Sequence, residues 1–224
     1  GSWLTTASSW VFRGHRATSP TSMKFMKPGG ISARAALCLL LVALPVGVIA
    51  PKASAATGGI LAPVPMGETW SVWQGYSSGT HVGTSQYGVD LTVNLTSATA
   101  TGGRATVFPA AGTVYYYQAA YGNACINTDD GRSYTLTHVN GAVQTAGTKV
   151  AAGQFAGTVG YAGEFNNNGV AHIHFEMWSG KGCYNASTPV PLDSAHAAQM
   201  CGAPDMTANG PGSNGAWSGT TFTA

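Results

Sequence analysis

The chain has 224 residues, 44% of them apolar, with 31 Gly and ten Lys and Arg against eight Asp and Glu. The charges are unevenly placed: six basic residues (Arg13, Arg16, Lys24, Lys27, Arg34 and Lys52) precede Ala56, and all eight acidic residues follow it. From Ala56 onward four basic residues face eight acidic ones, a formal charge of −4, which argues against a nucleic-acid partner.

The first methionine is Met23, so residues 1–22 read as upstream translation or an addition to the protein. From Met23 the chain carries Lys24, Lys27 and Arg34, an apolar run over 35–50, and then Ala53-Ser54-Ala55, the small-residue pattern a signal peptidase accepts. The apolar run is about 16 residues and a membrane span needs roughly 20. Residues 23–55 are therefore expected to be a signal peptide. The protein would be secreted, with no stable membrane association once the signal is removed. The remaining 169 residues suffice for one domain, expected over 56–190, with 191–224 as a C-terminal extension packed on or trailing from it.

Short alternating bursts then follow over 69–76, 87–93, 105–118, 133–138 and 172–178, filled with Val, Thr, Tyr and Trp and separated by Gly- and Asn-rich turns. They predict an all-β sandwich or open barrel. Helix is expected near the C-terminus alone, over 194–200 with Ser194 as its cap. Beyond Thr207 the composition predicts either a loosely packed final strand or a partly disordered segment. Trp70, Trp73, Tyr115, Tyr116 and Tyr117 could form a carbohydrate-stacking platform, but they read more simply as core and groove wall. Cys38 falls in the leader, leaving Cys125, Cys183 and Cys201: one pair and one thiol. The spacing of Cys183 and Cys201 suits a local bridge, with Cys125 as a small buried residue.

The histidines carry the chemistry. In Ala171-His172-Ile173-His174-Phe175-Glu176-Met177 the strand alternation puts His172, His174 and Glu176 on one face and Ile173, Phe175 and Met177 on the other. Two imidazoles roughly 7 Å apart suit a divided role, one ligating a metal and the other reaching the substrate. Upstream, His81 lies in a Gly-rich loop before Val89-Asp90-Leu91, where a carboxylate between two apolar residues needs hydrogen bonds or a cation. His81, Asp90 and His174 would supply two nitrogens and one oxygen, a set zinc accepts with water in the fourth position.

Gly75-Tyr76, the His81…Gly88-Val89-Asp90-Leu91 run, Val107-Phe108-Pro109-Ala110-Ala111-Gly112-Thr113-Val114, His138, Val150-Ala151-Ala152-Gly153-Gln154…Gly157-Thr158-Val159-Gly160 and His172-Ile173-His174-Phe175-Glu176 occur in that order. The set, spread over most of residues 63–178, resembles the lysostaphin-type and β-lytic zinc metalloendopeptidases. The resemblance implies an antiparallel β fold with a long substrate groove floored by one zinc ion. His81, Asp90 and His174 match the family's metal ligands, and His172 and His138 its catalytic histidines. It implies a monomeric, secreted endopeptidase in which a zinc-activated water hydrolyses peptides of bacterial peptidoglycan, in the cross-bridge or the stem, glycyl bonds among them. His172 would act as general base and His138 would donate to the developing oxyanion, while Glu176 reads as either a support to the site from outside the ligand set or a structural residue. The alternative is a catalytically inactive wall-binding or amidase-activating module of the same fold. The sequence departs from the family at two points. Gln86 stands where many members have the first ligand, His81 fitting the longer loop of the β-lytic branch, and no position matches the tyrosine some members use in catalysis.

Overall fold

The computed structural model describes residues 59–141, 145–167, 169–185 and 188–224. The expected upstream segment and signal peptide, 1–22 and 23–55, lie outside the described residues, as does Cys38. Among the described residues no helix is long and apolar enough to cross a membrane.

The described residues form twelve strands: β1 Thr69–Gln74, β2 Val89–Thr92, β3 Ala105–Val107, β4 Gly112–Gln118, β5 Asn123–Thr128, β6 Ser133–Thr137, β7 Val139–Gly141, β8 Lys149–Val150, β9 Phe155–Val159, β10 Ile173–Trp178, β11 Pro189–Val190 and β12 Thr221–Thr223. One large sheet runs β12-β1-β2-β10-β6-β5-β4-β8, with β11 on the end of β10, and a small sheet runs β3-β9-β7. Every pairing between these strands is antiparallel, as the all-β reading requires.

The alternation read in the sequence decides which side of the large sheet is core. Val89 and Leu91 of β2, Leu136 of β6 and Ile173, Phe175 and Met177 of β10 are all buried in one cluster with Trp70 and Val72 of β1. Trp70 is thus core, its indole N–H donating to Glu68 Oε2 at 2.9 Å, and is not part of a stacking platform. The opposite face of β2 and β10 carries Asp90, His174 and Glu176.

The predicted strand over 105–118 is two strands in different sheets. Pro109 supplies no N–H to a ladder, and the chain leaves the small sheet at Phe108, whose N–H bonds to Gln154 O, before entering the large one at Gly112. β5 had no sequence expectation. Asn123 and Thr128 at its ends are buried and Asn127 is half-buried, with Asn127 Oδ1 accepting from Gly182 N–H and Asn123 Oδ1 from the Thr137 hydroxyl, so the inward and outward faces do not differ in polarity.

The expected C-terminal helix is one 3-10 turn, Ser194–His196. Asp193, not Ser194, caps it, accepting from the His196 N–H, and Ala197 in the left-handed region (φ 53°) stops it. Residues after Thr207 contribute a final strand: β12 pairs with β1 and buries Phe222. Before it, residues 214–218 fold over the segment that follows β1. Gly75 N–H donates to Asn214 O, Tyr76 and Ala216 exchange backbone bonds, and a Cβ at Gly75 would lie 1.9 Å from Ala216 O.

The cysteine pairing differs from expectation: Cys125 is bonded to Cys183, and Cys201 is free and exposed. Proximity in sequence suggested 183 with 201, but the turn after β10 folds back across the sheet. There Cys183 N–H donates to Ser133 Oγ and Gly182 N–H to Asn127 Oδ1, which sets Cys183 over Cys125. Cys201 is tied elsewhere, its N–H donating to Ile60 O. Peptide mapping without reduction should therefore yield a 125–183 link, with Cys201 alkylated in the folded protein. The bridge closes a loop of 58 residues. Replacing both cysteines by alanine is expected to cost about 4 kcal/mol in urea unfolding.

Candidate metal centre

The register between β2 and β10 sets Asp90 directly opposite His174. β6 borders β10 on its other side, with Thr137 opposite His174, so His138 follows immediately beyond that edge. Gly88 leaves the necessary space: a Cβ there would stand 2.8 Å from His174 Cε1 and 3.2 Å from Glu176 Cγ. His81 arrives from the loop between β1 and β2. Gln74 braces that loop, its Nε2 donating to Ser78 O and Thr80 Oγ1, and His81 N–H donates to Ser78 O. Gln86 takes a backbone role in the same loop, its carbonyl accepting from Ser77 N–H.

Each of the four histidines has one ring nitrogen committed to an acceptor that cannot donate. His81 Nδ1 lies 2.8 Å from Gly75 O, His138 Nδ1 2.8 Å from Phe165 O and His172 Nδ1 2.6 Å from Val170 O, while His174 Nε2 bonds to Glu176 Oε1. Those nitrogens therefore carry the protons, and the other nitrogen of each neutral ring presents a lone pair.

Three of the lone-pair atoms converge. His81 Nε2 is 3.2 Å from Asp90 Oδ1 and 3.1 Å from His174 Nδ1, which is 2.8 Å from Asp90 Oδ1. His81 and Asp90 are buried and His174 nearly so, and the set can hold a metal ion. Three acceptors at such distances repel one another unless a cation lies among them. Ligand atoms on a tetrahedral zinc with bonds of about 2.0–2.1 Å stand roughly 3.3 Å apart, close to the spacings here. The donor set fits zinc in type as well as in spacing.

The electrostatics lead the same way. Burial opposes the Asp90 carboxylate, but the charge of His172 and the hydrogen bonds of His174 and His81 hold it well below the usual carboxylate range. Burial also opposes the His174 imidazolium, yet the Glu176 and Asp90 carboxylates on either side push it up to about 10.

His138 and His172 stand beside this cluster. Their rings meet edge to face at 4.6 Å, His172 packs against Trp73 at 5.7 Å, and His172 Nε2 is 3.5 Å from Asp90 Oδ1. Burial lowers the His172 imidazolium despite Asp90, and burial together with the charge of His172 lowers His138 to about 4. His138 sits in the left-handed region (φ 64°), a conformation that costs a non-glycine residue energy and is held here from three sides. Its N–H donates to Tyr121 O, its carbonyl accepts from Gly160 N–H, and its ring donates to Phe165. Four of the five residues named from sequence, Asp90, His138, His172 and His174, thus line one cleft of about 230 Å³, with Trp73, Asn166 and Tyr184 in its wall, and His81 is packed behind it. His196 is apart from them, paired with Asp193.

Tyr184 is the site residue the sequence reading missed. Its hydroxyl donates to Glu176 Oε1 at 3.2 Å, and burial with the Glu176 carboxylate raises its pKa, so it stays a neutral donor. No local pattern marks it, because it lies in a turn that the long-range disulfide brings to the site.

The sequence matches no protein-family model and no curated protein. Solved structures similar to it include the M23 metalloprotease pseudoalterin from the deep sea, at 16% identity over 61% of this chain and 76% of that one, with a TM-score of 0.48. The catalytic domain of the prophage-encoded M23 protein EnpA from Enterococcus faecalis is 21% identical over 58% and 94% of the two chains, with a TM-score of 0.42. The catalytic domain of the antimicrobial peptidase lysostaphin from Staphylococcus simulans is 17% identical over 49% and 78%, with a TM-score of 0.35.

Proposed function

We propose that the chain is a secreted, zinc-dependent endopeptidase that hydrolyses peptide bonds of bacterial peptidoglycan. The observation that carries this reading is the convergence of lone pairs from His81 Nε2, Asp90 Oδ1 and His174 Nδ1 beside two further imidazoles in an open cleft. The ordered motifs between Gly75 and Glu176 support the substrate class. The Cys125–Cys183 bridge agrees with an oxidising compartment.

Zinc held by His81, Asp90 and His174 would acidify a water to near neutral pH and polarise the scissile carbonyl. The chain's own residues move the protons. His172 Nε2, unprotonated and beside Asp90, takes the proton of the attacking water and later returns it to the leaving amine. His138 Nε2 is also a lone pair, because Nδ1–H is committed to Phe165. The donor role expected from sequence would thus require the imidazolium, which burial disfavours. As a neutral ring His138 orients the water by accepting from it.

The test is metal content together with wall cleavage. Purified protein should retain one zinc after dialysis and clear a suspension of bacterial walls. Removing the metal should abolish clearing, adding zinc should restore it, and new amino termini should appear on wall peptides. A protein that keeps no metal, or releases no amino termini, overturns the reading.

A pH dependence follows from the lowered histidines. Protonating His172 or His138 removes a needed lone pair, so turnover falls with falling pH. Because both imidazoliums are held below the ordinary value of 6.5, the acid limb should lie beneath it, toward His138 at about 4. On a soluble peptide with zinc in excess, the limb of kcat/KM that shifts or vanishes in His172 and His138 variants should lie below 6.5. A limb at 6.5 or above that moves with those variants would contradict this.

A further inference from the structure

We propose that Tyr184 is a positioning residue for His174, acting through Glu176, and that the Cys125–Cys183 disulfide holds it in place. The inference rests on the reading of His174 as a metal ligand. β10 sends His174 and Glu176 to the same face, and Glu176 Oε1 takes the proton-bearing nitrogen of His174, which leaves Nδ1 for the cluster. The orientation of the His174 ring therefore depends on the plane of the Glu176 carboxylate. That plane is set by the last side-chain torsion of glutamate, which is soft and roughly two-fold.

Little else fixes it. Glu176 is 1% exposed, and its Oε2 has no hydrogen-bond partner. Thr135 Oγ1, directly across in β6, and Trp178 Nε1, two residues along the strand, are equally without partners. Among the described residues the Tyr184 hydroxyl and His174 are the groups that hold the carboxylate.

Tyr184 is itself well fixed. Its ring meets Trp178 edge to face at 4.7 Å, and it lies in the 3-10 turn Cys183–Asn185. Cys183, the preceding residue, is in the left-handed region (φ 51°) and is tied down by the bond to Cys125 and by Ser133. The bridge reaches from the turn after β10 to β5, and so spans β6 to aim the phenol at Glu176.

The experiment compares zinc affinity, by competition with a chelator, with the melting temperature of the metal-free protein. Tyr184→Phe keeps the ring on Trp178 and removes the hydroxyl. It is expected to weaken zinc about tenfold, the lower end for losing an outer partner of a ligand, and to leave the metal-free melting temperature unchanged. Replacing both Cys125 and Cys183 by serine should lower both readouts, and adding Tyr184→Phe to that background should weaken zinc little further. Unchanged zinc affinity in Tyr184→Phe, or a loss matched by a fall in metal-free melting temperature, would overturn the proposal. Failure of the wild-type protein to bind zinc would overturn the metal-site reading itself, and would be seen before any variant is made.

Discussion

Asp90→Ala is expected to yield a folded protein that neither retains zinc nor turns over. Asp90 Oδ1 is the shared contact of the site, 3.2 Å from His81 Nε2, 2.8 Å from His174 Nδ1 and 3.5 Å from His172 Nε2. It is also the negative charge among those ligands, so its loss leaves a divalent cation facing two neutral nitrogens in a buried pocket. The fold should survive, because Val89 and Leu91 on the other face of β2 keep their places in the core. Zinc would be measured after dialysis, beside the rate of wall clearing. Stoichiometric zinc in Asp90→Ala would sink the ligand assignment. The same measurement separates the two candidates for the first ligand: His81→Ala should lose the metal and Gln86→Ala should keep it.

The second large effect divides two histidines that share a strand face. His174→Ala should empty the site, whereas His172→Ala should retain zinc and the fold while cutting at least a hundredfold more slowly. Removing a general base typically costs about 10² to 10⁴ in rate. His172 is placed for that task by Val170, which accepts its Nδ1–H and turns Nε2 toward Asp90. With that group absent the pH profile should also lose a limb. Equal zinc loss in the two variants would contradict the division. Near-normal turnover in His172→Ala would reject its role as base and leave the proton to His138 or to a metal-bound hydroxide alone.

How much of this was legible in the sequence follows from the range of the interactions. The alternation over 172–177 could be read because one face of β10 is wholly apolar and the other polar, a contrast that period alone exposes. Val89-Asp90-Leu91 signalled a buried carboxylate for the same reason. That Asp90 faces His174 depends on strand register, which no local pattern states. β5 was missed because its buried Asn and Thr hide the contrast between its faces. The cysteine pairing was misread because sequence distance ranked 201 ahead of 125, whereas a turn crossing the sheet decided the matter. Tyr184 was beyond reach for the same reason, since its place depends on that bridge. The tautomer of His138, which sets what the ring can do, depends on Phe165, a residue 27 positions away and itself in the left-handed region.

The cover of residues 214–218 over Gly75 bears on the order in which the site is built. Gly75 O orients His81, and Gly75 is in turn held by Asn214 and Ala216, while Ser78 in the same loop donates to Asn214 O across 136 positions. A chain made from its N-terminus presents His81, Asp90 and His174 long before that cover exists, and contacts of such separation close late because the loop entropy must be overcome first. Most of the sheet can therefore form while His81 is still loose. If His81, Asp90 and His174 hold zinc as proposed, capture of the ion becomes one of the last events of folding, after most of the polypeptide is in place.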